Sequence, residues 1–587
     1  MSKIQFRLTK LKSKIKKYNI DGFDIETHGD SNKFILCGYY DDRYHPFLNE
    51  KQAIDYMIKN VKDKTIIFAT NLSFDYTALF HEKKQLRESI IRQKGTIFFH
   101  CEYENLRFGD TLAIIPASVE TLGKHINILK LSKPSFLGKI PKNKQEWKYL
   151  KEYNSQDCRV TKVFMQQFQK ALNDLGGELK DTIASCSMNL YRRKYMPFEF
   201  EKEYVKEFAD ETRVIDFIRE AYYGGRCECF KRGINVEKRL YRLYDVNNLY
   251  GDAMTKAYPL PASCHINNFP REEFIHKYHG VSEVTIECPD IYYPLLPYRA
   301  NKLIFPTGTF RAKYNHIELR KALKLGYKIH KIHKQIYYTK TFYPFKKYVT
   351  SLYNLRLKYK KENNFLYAEI SKILANSLYG KFGMNIQKDW QYRDLESKDI
   401  DGAVLNDEGI GYKIFESEAN QSYVMPILAS TVTSYGRLKL YDYLIELKGI
   451  YCDTDSIITK MEIENSSEFG KLKLEKTFTQ FIVTKPKLYT VKDIDKNYYY
   501  VKVKGIKLAD DNTIRYKQFL DIMNGKLIEQ MRFSKFKESI RKNIPFNTKY
   551  LMKKQTNLED DKRDWNNQKF SMTELQDSKP HKLILEE

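Results

Sequence analysis

Tyr451-Cys452-Asp453-Thr454-Asp455-Ser456 sets two carboxylates, one residue apart, between an apolar run (Leu444, Ile445, Ile450) and Ile457-Ile458-Thr459. Two short β-prone pieces therefore meet at a tight turn that carries a pair of acids. Such acids repel each other in a partly dry site, so something positive must hold them there. A pair of Mg²⁺ ions is the natural candidate, because magnesium prefers hard oxygen ligands, commonly takes one or two carboxylates and leaves its other positions to water and substrate phosphates. A solvated Asp-Thr-Asp turn without function is the alternative, and the rest of the chain decides.

The bulk properties narrow the choice. At 587 residues and 69.8 kDa the chain is too long for one core, and its length predicts about three to five domains. A hydrophobic content of 42% can build those cores, which excludes a disordered chain. The formal charge of +26 points to a large polyanion as partner. The 45 Tyr and 35 Phe suit stacking on exposed bases as well as ordinary packing. Nine scattered Cys, with only Cys227-Glu228-Cys229 close together, lack zinc-site spacing, so reduced thiols and a cytoplasmic location are expected. The basic stretch from Met1 to Tyr18 is not followed by the apolar run of a signal peptide. No run of 18 apolar residues occurs, so no membrane partner is expected.

Toward the N-terminus, Ile20 to Thr27 alternates like a strand and puts Asp24 and Glu26 on one face, opposite Phe23 and Ile25. A second strand, Thr65 to Ala69, runs into Asn71-Leu72-Ser73-Phe74-Asp75 and delivers another carboxylate at a strand end. Arg107 to Leu112 reads as a further strand with a polar end. Trp147 to Lys170 reads as an amphipathic helix, on which Tyr153 and Asp157 share a face. The order Asp-x-Glu, Asn-x₃-Asp, Tyr-x₃-Asp resembles the three exonuclease motifs of proofreading DNA polymerases, the DEDD nucleases with a tyrosine in the third motif. The resemblance implies that Asp24, Glu26, Asp75 and Asp157 hold two metal ions and that Tyr153 orients the attacking water. Thr27, Asn71, Phe74, Thr111 and Leu112 match positions that grip a frayed single-stranded 3′ end, with core packing as the other reading of Phe74 and Leu112.

Further along, Tyr222-Tyr223-Gly224-Gly225 resembles the YxGG motif that links exonuclease and polymerase domains in family B polymerases and touches template DNA, so Tyr222, Gly224 and Gly225 are DNA contacts by resemblance; a simple turn is equally consistent with the glycines. Leu240 to Gly251 is a strand ending in Asp245 and then a turn. It is similar to polymerase motif A, DxxSLYP, which implies Asp245 and the Val246 carbonyl as metal ligands and Tyr250 beneath the sugar, excluding a 2′-hydroxyl. Asn248 stands where Ser is usual and Gly251 where Pro is usual, so the turn should be less rigid. The long stretch from Tyr250 to Lys372, with strand-like pieces at Val281 to Glu287 and Lys328 to Tyr338 and a basic helix from Tyr343 to Lys361, resembles the extra region of protein-primed family B polymerases that docks a terminal protein and the duplex. An enlarged palm is the plainer alternative.

Lys372, Asn376 and Tyr379 recur at i, i+4, i+7 and form one helical stripe. The sequence KxxxNSLYG resembles family B motif B, which implies Lys372 on the nucleotide phosphates, Asn376 and Tyr379 on base and sugar, and Gly380 beside the template base. Lys360 aligns with a second phosphate-binding lysine, while Ala368 stands where another lysine is expected. Asp389 to Ala419, with turn signals at Asn406-Asp407-Glu408-Gly409, reads as a β-hairpin and matches a second insertion of the same group, one that helps enclose DNA and open the downstream duplex. Thr433 and Arg437 resemble the TxxGR template contact. By the same resemblance the opening hexapeptide is motif C, in which Asp455 joins Asp245 in holding both ions and Asp453 supports them. Lys487 and Tyr489 resemble the KxY primer contact. The basic remainder from Lys504 resembles a thumb that grips duplex backbone.

The chain is thus identified as a member of the family B DNA polymerases with 3′-5′ exonuclease, most similar to the protein-primed replicases of small phages and linear plasmids. The resemblance implies an α/β multidomain fold: an RNase H-like exonuclease domain (1–180), linker and palm with motif A (181–260), insertion 1 (261–345), fingers (346–385), insertion 2 (386–422), palm with motifs C and KxY (423–525) and thumb (526–587). It implies Mg²⁺, two ions per active site with Mn²⁺ as the substitute, template-primer DNA and dNTPs as partners, a terminal protein as primer, a monomer, strand-displacing viral DNA replication, and the host cytoplasm. Priming without any primer is the alternative within the family. A stand-alone nuclease has no use for motifs A, B and C, Tyr250 argues against ribonucleotides, and a non-catalytic DNA-binding protein would not be expected to keep six suitably placed carboxylates.

Overall fold

In the computed structural model, residues 3–5, 8–29, 33–200, 205–207, 211–235, 237–384, 388–394, 403–405, 410–416 and 423–585 are described. The N-terminal third is built on three parallel strands, Asn19–Thr27, Thr65–Ala69 and Leu106–Asp110, flanked by antiparallel neighbours. Thr65–Ala69 is apolar throughout and buried on both faces, as a central parallel strand must be. The 31-residue helix Lys144–Asp174 lies across this sheet. It comes in close at Gly22, where a Cβ would stand 2.2 Å from the Cys158 carbonyl oxygen.

Two of the expected strand ends differ. Asp75 sits on the first turn of the helix Leu72–Leu79, not at a strand end, because Asn71 takes a left-handed conformation (φ 73°) that turns the chain at once into a helix. The strand expected over 107–112 stops at Asp110, whose side chain accepts the Leu112 N–H and caps a short helical turn, Thr111–Ala113.

The second insertion forms the expected hairpin, with Lys388–Asp394 antiparallel to Ile410–Glu416. Its turn at 406–409 lies outside the described residues. The hairpin does not stand alone: Trp390 and Gln391 pair with Ile91 and Ile90 of the N-terminal sheet, making one ten-stranded sheet.

The palm sheet is antiparallel, in the order Cys227–Cys229, Tyr451–Asp453, Ser456–Thr459, Tyr241–Val246, Leu472–Phe478. Motifs A and C, more than 200 residues apart in sequence, thus lie on neighbouring strands. Insertion 1 is a separate antiparallel sheet in which His279–Cys288 lies between Thr307–Asn315 and Lys328–Tyr338. The segment expected as fingers holds the paired helices Lys346–Lys361 and Phe365–Ser377.

Boundaries drawn from sequence cut through shared structure. One apolar core runs from Phe164 and Phe168 of the long helix through Tyr348 and Leu374 of the fingers to Val432 of the helix Pro426–Glu446. The region 526–587, expected as the thumb, does not pair only with itself. Ile528–Phe533 and Lys549–Lys554 form a ribbon, but Leu575–Asp577 pairs with Lys231–Ile234 of the palm and Lys582–Leu583 with Thr307–Asn315 of insertion 1. Arg563, wholly buried, secures that return, donating to Ser578 Oγ (2.7 Å) and the Tyr292 carbonyl (3.1 Å) with its guanidinium over the Phe230 ring.

Candidate active sites

The strand Asn19–Thr27 aims Asp24 and Glu26 at the helix that carries Asp157, and the Ile25 N–H donates to Asp75 Oδ1 (3.0 Å), drawing the third acidic segment in. Asn154, one turn before Asp157, donates to Asp24 Oδ2 (2.8 Å). Burial pushes Asp24 and Asp75 well above the usual carboxylate range, with repulsion from Glu26 adding to both. Glu26 is pushed up to about 7 by burial and then by Asp157. Lys130 relieves Asp24 and Glu26 in part: its Nζ lies 2.5 Å from Asp157 Oδ2 and 4.8 Å from the Tyr153 ring centroid. Tyr153 is buried against that lysine.

The positions expected to grip single-stranded DNA divide. Thr27 and Leu112 are half-exposed, whereas Thr111 is fully buried, with its hydroxyl donating to Thr70 Oγ1 (2.9 Å). Asn71 and Leu72 donate their N–H groups to Asp110 (both 3.1 Å). Phe74 meets Phe533 of the thumb ribbon edge-on, with 5.5 Å between centroids.

In the palm, Asp245 pairs across strands with Ser456, the residue after Asp455, and the Val246 N–H donates to the Asp455 carbonyl (2.6 Å). The Asp-Thr-Asp turn is sharp because Thr454 is left-handed (φ 65°). Burial and then the Asp455 charge push Asp245 up to about 7, and burial likewise raises Asp455. Both line a cleft of about 460 Å³ with Asp453, Glu475, Lys476, Lys487 and Tyr489. Lys487 Nζ holds Asp453 by both oxygens (2.7 and 2.6 Å), and Tyr489 is buried against Tyr451, so in this structure the KxY pair faces motif C.

The glycine loop fits against the same turn. A Cβ on Gly225 would lie 2.9 Å from Thr454 Cγ2, and the Thr454 N–H donates to the Arg226 carbonyl (2.7 Å). Gly224 is open, and Tyr222 packs over Gly383. Arg437 is buried: its guanidinium binds Glu318 (2.7 and 2.9 Å) and donates to the carbonyls of Tyr223 (2.6 Å) and Gly224 (3.0 Å). The hydroxyl of buried Thr433 donates to Ser430. In this structure Arg437 thus ties Glu318 to the glycine loop.

On the fingers, Lys372 pairs with Glu369 (3.0 Å), Asn376 and Gly380 are exposed, and Tyr379 stands 5.1 Å from Tyr250 between ring centroids. Lys360 is held below its usual range first by Arg356, then by burial and by Lys473 and Lys372. Lys473 also lowers Asp245 in part, so this group of like charges lies near the palm acids, where an anion would relieve its mutual repulsion.

Sequence reasoning missed Lys130, Asp110, Asn154, Arg356 and Lys473. Asp110 had a signal, the polar end of its strand, and Asn154 lies inside the Tyr-x₃-Asp motif; Lys130, Arg356 and Lys473 lie outside the motifs and reach the sites by tertiary folding. Among the described residues no three acidic, His or Cys side chains converge closely enough to hold a cation unaided. Both sites nonetheless fit a hard cation. Burial first and mutual repulsion second raise their acids, and Asp157 Oδ1 is buried without a hydrogen-bond partner.

Comparison with known proteins bears on both sites. The family described as DNA polymerase type B, organellar and viral, matches residues 138–458. A protein of Ascobolus immersus named "Probable DNA polymerase" is 25% identical over 87% of this chain, which spans only 48% of that protein. The DNA-directed DNA polymerase of Enterobacteria phage PRD1 is 26% identical over 81% of this chain and 83% of its own. Phi29 DNA polymerase, solved with primer-template DNA and incoming nucleotides, shares the fold at 16% identity and TM-score 0.68, covering 92% of this chain and 99% of its own. No described helix is long and apolar enough to cross a membrane.

Proposed function

The chain belongs to the type B DNA polymerases of organelles and viruses, and on that premise we propose that it is a DNA-directed DNA polymerase with a separate 3′-5′ exonuclease site. The observation that carries this reading is the pairing of Asp245 with Ser456, which brings acids from two distant segments into one cleft beside a cationic rim.

The division of labour follows from the side chains. Arg356, Lys360, Lys372 and Lys473 take the triphosphate, where opposite charge removes their mutual repulsion. Tyr250 and Tyr379 form the floor under sugar and base. Lys487 keeps Asp453 paired, and Gly225, lacking a Cβ, lets the turn close. Divalent ions, Mg²⁺ or Mn²⁺, held by Asp245, the Val246 carbonyl and Asp455 would supply activation of a primer hydroxyl and neutralisation of pyrophosphate. In the second site Asp24, Glu26, Asp75 and Asp157 are the matching donor set, and Tyr153, held by Lys130, orients the attacking water.

Template-primer DNA and dNTPs are the substrates this reading requires, and the +26 charge supports a polyanionic partner. Protein-primed, strand-displacing synthesis is the finer form, supported by the antiparallel strands that insertion 1 adds and by the likeness to phi29 and PRD1 polymerases. A monomer in the host cytoplasm goes with it.

Two variants test the reading. Asp455→Ala abolishes nucleotide incorporation and spares degradation of single strands, and Asp24→Ala does the reverse. Loss of both activities in either variant counts against two sites. Transfer of a dNMP onto a co-expressed terminal protein tests the priming mode, and initiation on bare template favours the primer-independent alternative.

A further inference from the structure

Tyr250 sits on the short helix Leu249–Met254, which packs between the helix Pro426–Glu446 on one side and the fingers helices on the other. On the first side the ring lies against Gly436: a Cβ there would stand 3.1 Å from Cε1 and 3.4 Å from Cδ1 of Tyr250. Real Cβ atoms seldom come so close, so any side chain at 436 must displace the ring. On the other side Tyr379 closes the space at 5.1 Å between centroids. The ring is therefore seated between a missing side chain and a second ring.

We propose that Gly436 is a positioning residue for sugar selection: by lacking a Cβ it seats the Tyr250 ring against the helix Pro426–Glu446 and fixes how much room the incoming sugar has. The inference rests on the polymerase reading above and gives Gly436 a task that its place in a template-contact motif does not. A methyl at 436 can push the ring only away from its own helix, toward Tyr379 and the fingers. That is the space a nucleotide needs. All sugars then bind less well, and a sugar with a 2′-hydroxyl loses most.

A plain packing role for Gly436 predicts something else: lower stability, with the preference between sugars unchanged. The two are separated by Gly436→Ala in the full chain, with incorporation of dATP and ATP measured side by side, and the same substitution in a Tyr250→Val background. In the Tyr250 background the expected result is a higher KM for dATP and a rise in discrimination against ATP of about tenfold, the usual worth of one methyl group in a tight pocket. In the Tyr250→Val background the substitution leaves the ratio unchanged within about twofold, because the ring it acts through is gone.

Exonuclease activity on single strands, read from the same preparations, confirms that each variant is folded. Should Gly436→Ala itself fail to fold, the cycle is run with Tyr379→Leu, which removes the opposite wall; the ring gains room and discrimination falls. An unchanged ratio in the Tyr250 background, or an equal change in both backgrounds, overturns the inference. A wild-type chain that incorporates no nucleotide overturns the polymerase reading instead.

Discussion

The side chain of Asn248 folds back over Gly251, so that a Cβ at 251 would lie 2.4 Å from Asn248 Nδ2. Asn248 itself is left-handed (φ 57°), a conformation that Asn adopts more readily than most residues. The two departures from the usual motif A are therefore one structural solution: the asparagine makes the turn and the glycine gives it room.

Gly251→Pro, alone, overpacks that turn and costs about 1–3 kcal/mol. Incorporation falls at least tenfold while nuclease activity holds. Pro is acceptable in the first turn of a helix, so Asn248→Ser with Gly251→Pro recovers most of the loss. A double variant no better than Gly251→Pro alone shows the two positions to be uncoupled.

Among the described residues Lys130 is the cation that pairs with the acids of the N-terminal site, through Asp157. Lys130→Ala leaves Asp157 buried and unpaired, and single-strand degradation drops by about 10²-fold with primer extension unchanged, a loss on the scale of a misplaced catalytic group. Lys130→Arg restores part of it. Parallel assays of the two activities on one preparation decide the matter.

Acid and base limits on stability follow from Glu26 and Asp245, both raised to about 7 from 4.5 and 3.8. The folded chain then holds protons that the unfolded chain has released. Folding is favoured by these groups below about pH 4, and the advantage is lost as pH rises through about 7. In chelator, the melting temperature falls across that window; added Mg²⁺ reverses the fall at pH 7 and above. Asp245→Asn flattens part of the slope. A melting curve in chelator that rises steadily from pH 4 to 7 contradicts the assignment.

Arg563 is wholly buried beside Glu228 and Arg226, with its Nη1 3.8 Å from Glu228 Oε1. Arg563→Ala removes one charge from a buried network and destabilises by about 3–5 kcal/mol, seen as a lower denaturant midpoint. The palm strand Lys231–Ile234 loses its outer neighbour at the same time, and both activities decline together because the fold is what suffers.

The acids, the tyrosines of motifs A and B and the strands that carry them were legible in the sequence because each depends on local rules: alternation puts Asp24 and Glu26 on one face, and a turn between apolar runs gives Asp453 and Asp455. Periodicity also found the helix that carries Asp157. What neighbours these groups was not legible. Lys130 reaches Asp157 across 27 residues, Arg437 binds Glu318 119 residues away, and Leu575–Asp577 pairs with Lys231–Ile234, because pairing between distant segments leaves no periodic trace in either. Spacing along a chain can name a ligand set, but only close packing in three dimensions determines which charges face it and which glycines must stay bare.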